Sequence, residues 1–181
     1  AEVQVVNASI TAEDGEFTLW STAGRNAATV LWNSAIEAQR DVTIATYARK
    51  SAEVEIANST ITSAWDDVTI GAVSKKGDAW LSISGAEIKA EDTLSVGAAA
   101  YARRGDVDVS IVDSKLTAVD EDVRIVAEAG GDATVSIETN IPEDAIEPEI
   151  ASLSAGDDVR IDIKAGGDAM ATIVDANVTA A

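Results

Sequence analysis

A repeat of 25 to 28 residues constrains the fold of this chain more than any other feature of its sequence. One copy, residues 106–131, reads DVDVSIVDSKLTAVDEDVRIVAEAGG and contains three short runs in which apolar and polar residues alternate. Alternation with a period of two is typical of half-buried β-strands, and the polar segments between the runs are typical of turns. Three strands in each repeat predict a solenoid. Copies begin at Ala1, Ala27, Ala52, Asp78, Asp106, Asp132 and Asp168.

The apolar residues of successive copies fall into aligned columns, represented by Val54 and Ile56 in the first strand, Ile61 in the second and Val68 and Ile70 in the third. Equivalent strands one coil apart can pair in parallel about 4.8 Å from each other, and crossover geometry favours right-handed winding. We therefore expect an all-β, right-handed parallel β-helix of about six and a half coils, forming one domain over residues 1–181. A two-sheet sandwich is the alternative, but it does not predict three columns at one period.

The sixth coil carries an insertion over residues 138–150, ETNIPEDAIEPEI, between its first and second strands. Both prolines of the chain, Pro142 and Pro148, lie in this segment. An irregular loop on a regular scaffold is a common location for function. A drifted insertion or a cap for the rod is the alternative reading.

Composition excludes several classes of function. A net charge of −19 disfavours binding to nucleic acid or anionic lipid. The absence of Cys and His removes disulfides, the usual nucleophilic triads and most transition-metal sites. No apolar run reaches the roughly 20 residues of a membrane helix. Because the corner loops are too short to wall a cleft, we expect no enzyme and no resident cofactor.

Acidic residues recur at the turn before each third strand, which we call the acidic corner. Stacked carboxylates repel one another unless solvent or cations screen them, and calcium accepts oxygen ligands in flexible geometry. A solvated edge is the expectation, because no known calcium-loop motif is present. The weak calcium candidates are Asp66, Asp67, Glu91, Asp92, Asp120 and Asp122.

The turn that closes each of the first four coils is rich in basic residues, and we call it the basic corner. It can bind an acidic polymer, or it can meet the acidic corner of a neighbouring rod. Charges placed at turns for solubility are the alternative. The residues are Arg25, Arg49, Lys50, Lys75, Lys76, Arg103 and Arg104.

Six aromatic residues fall outside the inward columns and are confined to the first four coils. Outward aromatics can stack on sugar rings or become buried between rods. The N-terminal half of the rod is therefore the expected contact surface. The residues are Trp20, Trp32, Tyr47, Trp65, Trp80 and Tyr101. An ice-binding surface is a third option, because Thr18, Thr43 and Thr69 form a column that continues with Ser95, Arg124 and Arg160.

Asn7, Asn58 and Asn177 each begin an N-glycosylation sequon. Asn7 and Asn58 occupy the same corner of two different coils. Asparagine tolerates the left-handed backbone conformation that a tight corner requires. We therefore expect a structural role for Asn7 and Asn58.

Two phrases, GGDATVSI at 130–137 and DVRI at 122–125 and again at 158–161, resemble the repeats of secreted bacterial surface β-helices. The similar groups are filamentous-haemagglutinin-like exoproteins and autotransporter passengers. The resemblance implies an extracellular or cell-surface protein and carries over no functional residue.

The sequence shows no capping helix or charged run at either end, and its seventh coil stops after two strands. The predicted function is a structural fibre or adhesin segment that self-assembles head to tail. The alternative is a carbohydrate-binding module that uses the outward Trp and Tyr residues. The chain opens at Ala1 without an initiator Met, which suggests a processed product or an excised segment.

Overall fold

The structure is a computed structural model that describes residues 1–140 and 151–180. The described residues form strands and turns without a helix. The predicted insertion at 138–150 falls mostly outside them, including both of its prolines.

Each full coil contributes three strands. Coils one to four contain β1 (Glu2–Val6), β2 (Ser9–Ala12), β3 (Phe17–Ala23), β4 (Asn26–Trp32), β5 (Ala35–Ala38), β6 (Val42–Ala48), β7 (Ser51–Ala57), β8 (Thr60–Ser63), β9 (Val68–Ser74), β10 (Ala79–Ser84), β11 (Glu87–Ala90) and β12 (Leu94–Ala100). Coils five to seven contain β13 (Val107–Val112), β14 (Lys115–Ala118), β15 (Val123–Ala129), β16 (Ala133–Glu138), β17 (Ser152–Ala155), β18 (Val159–Ala165), β19 (Ala169–Val174) and β20 (Asn177–Ala180).

Strands of the same kind stack into three parallel sheets. The first sheet contains the seven first strands, the second sheet the seven second strands and the third sheet the six third strands. The pairing register matches the sequence columns: Val54 pairs with Leu81, Ile61 with Ile88 and Val68 with Leu94. The predicted parallel β-helix with three strands per coil is therefore confirmed. Right-handed winding stays a prediction.

The core lies inside the rod, where each inward side chain packs on its counterparts above and below. Leu31, Ile56, Ile83 and Ile111 form one such column and are fully buried. The stack needs no aromatic residue in its centre, because Val, Ile, Leu and Ala of similar size fill successive layers. Burial weakens in the seventh coil, where inward residues are partly exposed.

The corner between the first and second strands has a left-handed residue in most coils, and in the second, third and fifth coils a buried serine follows it. Asn7, Asn33 and Asn58 have φ angles of 52°, 52° and 48° at equivalent positions, which confirms the structural role predicted for Asn7 and Asn58. The Asn177 sequon differs, because Asn177 begins β20 and Asp175 takes the left-handed position. The Ser34 hydroxyl donates to Trp32 O at 2.8 Å and accepts from Ala8 N at 3.1 Å, so it joins adjacent coils.

Aspartates join successive coils at the closing corner. Asp78 Oδ1 accepts the Asp106 N–H at 3.0 Å, Asp106 Oδ1 accepts the Asp132 N–H at 2.9 Å, and Asp132 Oδ1 accepts the Asp168 N–H at 2.9 Å. Backbone groups at a turn cannot all find partners within the sheets, so each carboxylate satisfies one donor of the next coil. These aspartates therefore have a structural role in the stack.

The third strands are longer than the sequence columns indicated. β6, for example, has seven residues, and its inward side continues through Thr46 and Ala48 after Val42 and Ile44. The additional inward residues of the third sheet are mostly Ala, Ser or Thr, which give a weak hydrophobic signal. Thr46 Oγ1 donates to Thr29 Oγ1 at 2.7 Å inside the core, which satisfies the hydroxyl of Thr46.

Gly77 is required at its corner because the coils approach closely there. A Cβ atom built on Gly77 would lie 1.9 Å from Lys50 O, whereas one on Gly24, at the same corner of the first coil, has no neighbour within 4 Å. We expect Gly77→Ala to lower the free energy of unfolding by about 1–3 kcal/mol through overpacking. Gly24→Ala is the matched control and should be neutral or stabilising by up to about 1 kcal/mol. Denaturant unfolding of both variants measures the difference, and equal effects would contradict the close approach.

Candidate contact surfaces

The aromatic residues point outward, as the sequence indicated, but they do not share one surface. Trp20, Trp32, Trp65 and Trp80 are 41–62% exposed. They fall into three groups: Trp32 and Trp80 on the first sheet, Trp20 and Tyr47 on the third sheet, and Trp65 and Tyr101 at two different corners. A continuous aromatic platform over the N-terminal half is therefore not formed.

The outward residues of the third sheet form an uncharged face in the first four coils. Three columns cross this face, and every member is a small, hydroxyl-bearing, aliphatic or aromatic residue. They are Thr18, Thr43, Thr69 and Ser95; Trp20, Ala45, Gly71 and Gly97; and Thr22, Tyr47, Val73 and Ala99. We call these twelve residues the uncharged face. Charge returns in the fifth coil with Arg124 and Glu128.

The uncharged face lies between the two charged corners. The basic corner follows β3, β6, β9 and β12, and the acidic corner precedes them. Lys75 Nζ lies 5.3 Å from the centre of the Tyr47 ring, a cation–π distance that brings the basic corner against the uncharged face. Arg25, Arg49, Lys50 and Lys76 line a depression at the same corner. Arg103 and Arg104 continue this corner after β12 and are exposed.

Several acidic-corner carboxylates are already used by the fold. Asp67 Oδ1 accepts the Thr93 N–H at 2.9 Å, and Asp122 Oδ1 accepts the Asp158 N–H at 3.1 Å. The other oxygen of Asp122 accepts from Arg124 Nη2 at 2.7 Å. Asp122 is therefore a buried structural carboxylate rather than a free ligand.

The acidic corner nevertheless contains unfavourable charge interactions. Partial burial, followed by repulsion from Glu121, Asp67, Asp66 and Asp120, raises the pKa of Asp92 above its ordinary value of 3.8. Asp122, at the acidic corner of the next coil, has a pKa shift in the opposite direction. Hydrogen bonds from Arg124 and from the Asp158 backbone lower the pKa of Asp122.

The six calcium candidates do not converge on one point. Within residues 1–140 and 151–180, no group of three or more Asp or Glu side chains is arranged to hold a metal ion. Glu91 lies 3.8 Å from Lys89 Nζ, and Asp120 is exposed beside Glu121. The solvated acidic edge stays a prediction.

Hydrogen bonds hold the described residues at the base of the insertion. Thr139 Oγ1 donates to Asp175 O at 2.6 Å and accepts from Ala151 N at 2.8 Å. A single hydroxyl thus ties the two ends of the insertion to the seventh coil. The functional expectation for the loop itself concerns residues that lie outside the described part.

The uncharged face was not identified as a surface from the sequence. The Thr column is one part of this face, but the most informative feature of the face is the absence of charge: residues 17–23, 42–48, 68–74 and 94–100 contain no Asp, Glu, Lys or Arg. The chain has 45 charged side chains, 32 acidic and 13 basic, so four equivalent strands without a charged residue are unusual. The pattern of apolar residues does not reveal this feature.

Comparisons of the chain with protein-family models, curated proteins and solved structures return no match. Among the described residues, no helix is long and apolar enough to cross a membrane.

The opposite pKa shifts of Asp92 and Asp122 predict opposite effects of neutralisation. A raised pKa means that ionised Asp92 destabilises the fold above that pKa, and this cost disappears as the pH falls below 3.8. A lowered pKa means that ionised Asp122 stabilises the fold above 3.8, and this contribution is lost as the pH falls through the folded-state pKa. We therefore expect Asp92→Asn to raise the Tm at neutral pH and Asp122→Asn to lower it.

Thermal unfolding followed by circular dichroism across a pH series measures both variants. The difference in Tm between each variant and the wild type should shrink as the pH falls below 3.8. Changes of the same sign at neutral pH would contradict the assignment of Asp92 as a repelled carboxylate and Asp122 as a structural one.

Proposed function

We propose that this chain is a structural β-helix, a segment of an extracellular fibre or adhesin that assembles by stacking its coils end to end. The described coils are held together by coil-to-coil pairing, and an end coil offers the same pairing to a second copy. The proposal assigns the chain no reaction and no resident cofactor. Its extracellular placement is supported by the resemblance of the DVRI and GGDA phrases to exported surface β-helices.

The observation that carries the proposal is the unbroken parallel pairing of all three strand columns, in which each coil is covered by a next coil of the same form. Ile173 is 48% exposed and Val178 is 44% exposed. Their counterparts one coil earlier, Ile137 and Leu153, are fully buried because another coil covers them. Covering apolar surface of this kind is favourable by about 25 cal/mol for each Å² removed from water.

The edges of the strands in a coil carry the backbone groups that would make the proposed contact. β1, β2 and β3 have an unpaired edge at one end of the described rod, and β19, β20 and β18 have one at the other. Unpaired edges present N–H and C=O groups to any strand that can match them. Head-to-tail contacts of this kind do not close, so repeated stacking produces filaments.

Neutral-glycan binding by the outward aromatics is the second candidate, and the exposure of the four tryptophans favours it. The aromatics lie on separate surfaces, so each site would contain one or two rings. Trp20 and Tyr47 lie on adjacent strands of the third sheet.

A charge on the inward column of the seventh coil should prevent stacking. We expect Ile173→Lys to abolish filaments at concentrations at which the wild type assembles, because a second copy would have to bury the ammonium group. Thr172→Lys is the matched control, since Thr172 pairs with Ser136 on the outer side of the same strand. Sedimentation and electron microscopy measure assembly. Equal assembly of both variants, or a wild type that stays monomeric, would contradict the proposal.

A further inference from the structure

We propose that the uncharged face binds the uncharged face of a second copy of this chain, with the two rods side by side and parallel. This lateral contact is separate from end-to-end stacking and uses different residues. The proposal follows from the composition of the uncharged face, its shape and the charges at its two edges.

The uncharged face can be removed from water without burying a charge. A chain with a net charge of −19 repels its own copies, and burying an unpaired charge in a contact is costly. The outer faces of the other two sheets carry charge within the first four coils, for example Glu53 and Glu55 on β7 and Glu37 on β5. The third sheet lacks it there, so two copies can bring these surfaces together without burying an ionised group.

The surface of the uncharged face is low along its centre column. The centre column of the uncharged face contains Ala45, Gly71 and Gly97, which leave the sheet surface low between the Thr column and the Tyr47–Val73 column. Trp20 stands at the end of the centre column and is 60% exposed. In a parallel pair related by a twofold axis along the rod, each centre-column residue faces its own counterpart. The two Trp20 rings then meet and can stack.

The charged corners on either side of the uncharged face fix the relative orientation of the two copies. A twofold axis parallel to the rods exchanges the two edges of the uncharged face, so the acidic corner of each copy lies opposite the basic corner of the other. Glu13, Asp66 and Glu91 then face the basic residues of the corresponding coils. An antiparallel pair would instead place acidic corner against acidic corner and basic against basic. Complementary edges of this kind select partner and register.

The contact extends to the fifth coil and ends at the sixth. In the parallel arrangement Arg124 lies opposite Glu128 of the second copy, beside the ion pairs that these residues make with Asp122 and Lys164 in their own chain. In the sixth coil Asp162 occupies the centre column and would face its own counterpart. Five coils, including both corners, offer roughly 700 Å² from each copy at 4.8 Å per strand, close to the roughly 800 Å² of an ordinary specific interface.

A second copy fits these observations better than a glycan does. A neutral glycan would explain the absence of charge on the face, but it would give no role to edges of opposite sign on either side. An acidic polymer would meet the basic corner but would be repelled by the acidic corner along the same face. Only a partner that itself has both edges satisfies both, and this chain is such a partner.

Mass measurement tests the contact in a variant that cannot stack end to end. In the Ile173→Lys background, analytical ultracentrifugation should detect a monomer–dimer equilibrium. Gly71→Arg should weaken the dimer at least tenfold, because it places a cation at the centre of the contact. A Cβ on Gly71 meets no atom closer than 3.8 Å, so the fold accommodates the change. Ser82→Arg, at an outward position of the first sheet, is the matched control and should dimerise normally.

Cysteine cross-linking tests the parallel orientation, since the chain has no native cysteine. Val126 continues the centre column in the fifth coil. In the parallel pair, Val126→Cys faces its own counterpart across two sheets stacked about 10 Å apart. This separation is too large for a direct disulfide, so a short bismaleimide cross-linker should join the two thiols. In an antiparallel pair centred on the uncharged face, the two cysteines would be about 24 Å apart at 4.8 Å per coil. Ser82→Cys is the control and should not cross-link.

Three results would overturn the proposal. The first is an Ile173→Lys chain that stays monomeric at every concentration, with or without retention on a neutral glycan. The second is folded Gly71→Arg protein that dimerises as well as the Ser82→Arg control, and the third is Val126→Cys protein that fails to cross-link in samples that contain dimer.

Discussion

The parallel register between successive coils is the constraint on which the rest of this structure depends. Because each strand pairs with its equivalent one coil away, every inward position becomes a column, and a column is stable only if its members are similar in size. Leu31, Ile56, Ile83 and Ile111 satisfy this requirement and are fully buried. The corners follow the same rule: left-handed residues, buried serines and aspartates recur at equivalent positions and satisfy backbone donors of adjacent coils.

A stack that is built by repetition has two consequences for function. Its ends present the pairing groups that hold its middle together, which is the basis for the proposed end-to-end assembly. Its sides present columns, so that a chemical property repeated in each coil becomes a stripe along the rod. The acidic corner, the uncharged face and the basic corner are three neighbouring stripes of this kind, and together they form a surface that is complementary to itself.

The sequence predicted the architecture well because the same physical rule produces the pattern and the fold. Val54, Ile61 and Val68 were assigned to their columns from alternation alone, and their pairing partners are those that the repeat indicated. Alternation could not reveal the full length of the third strands, because Ala48 and Thr46 contribute little hydrophobic signal. It also could not assign the roles of Asp92 and Asp122. Both residues lie at the acidic corner, but Asp122 accepts hydrogen bonds from Arg124 and from the Asp158 backbone, whereas Asp92 is partly buried near other carboxylates.

The central proposal is that the coil stack of one chain continues into the coil stack of another copy. Cryo-electron microscopy of the purified 181-residue chain at increasing concentration tests it most directly. The account predicts filaments whose strands run across the long axis with a spacing of about 4.8 Å along it, continuous through each junction between copies. Particles that stay single at high concentration, or filaments with strands parallel to the long axis, would contradict it.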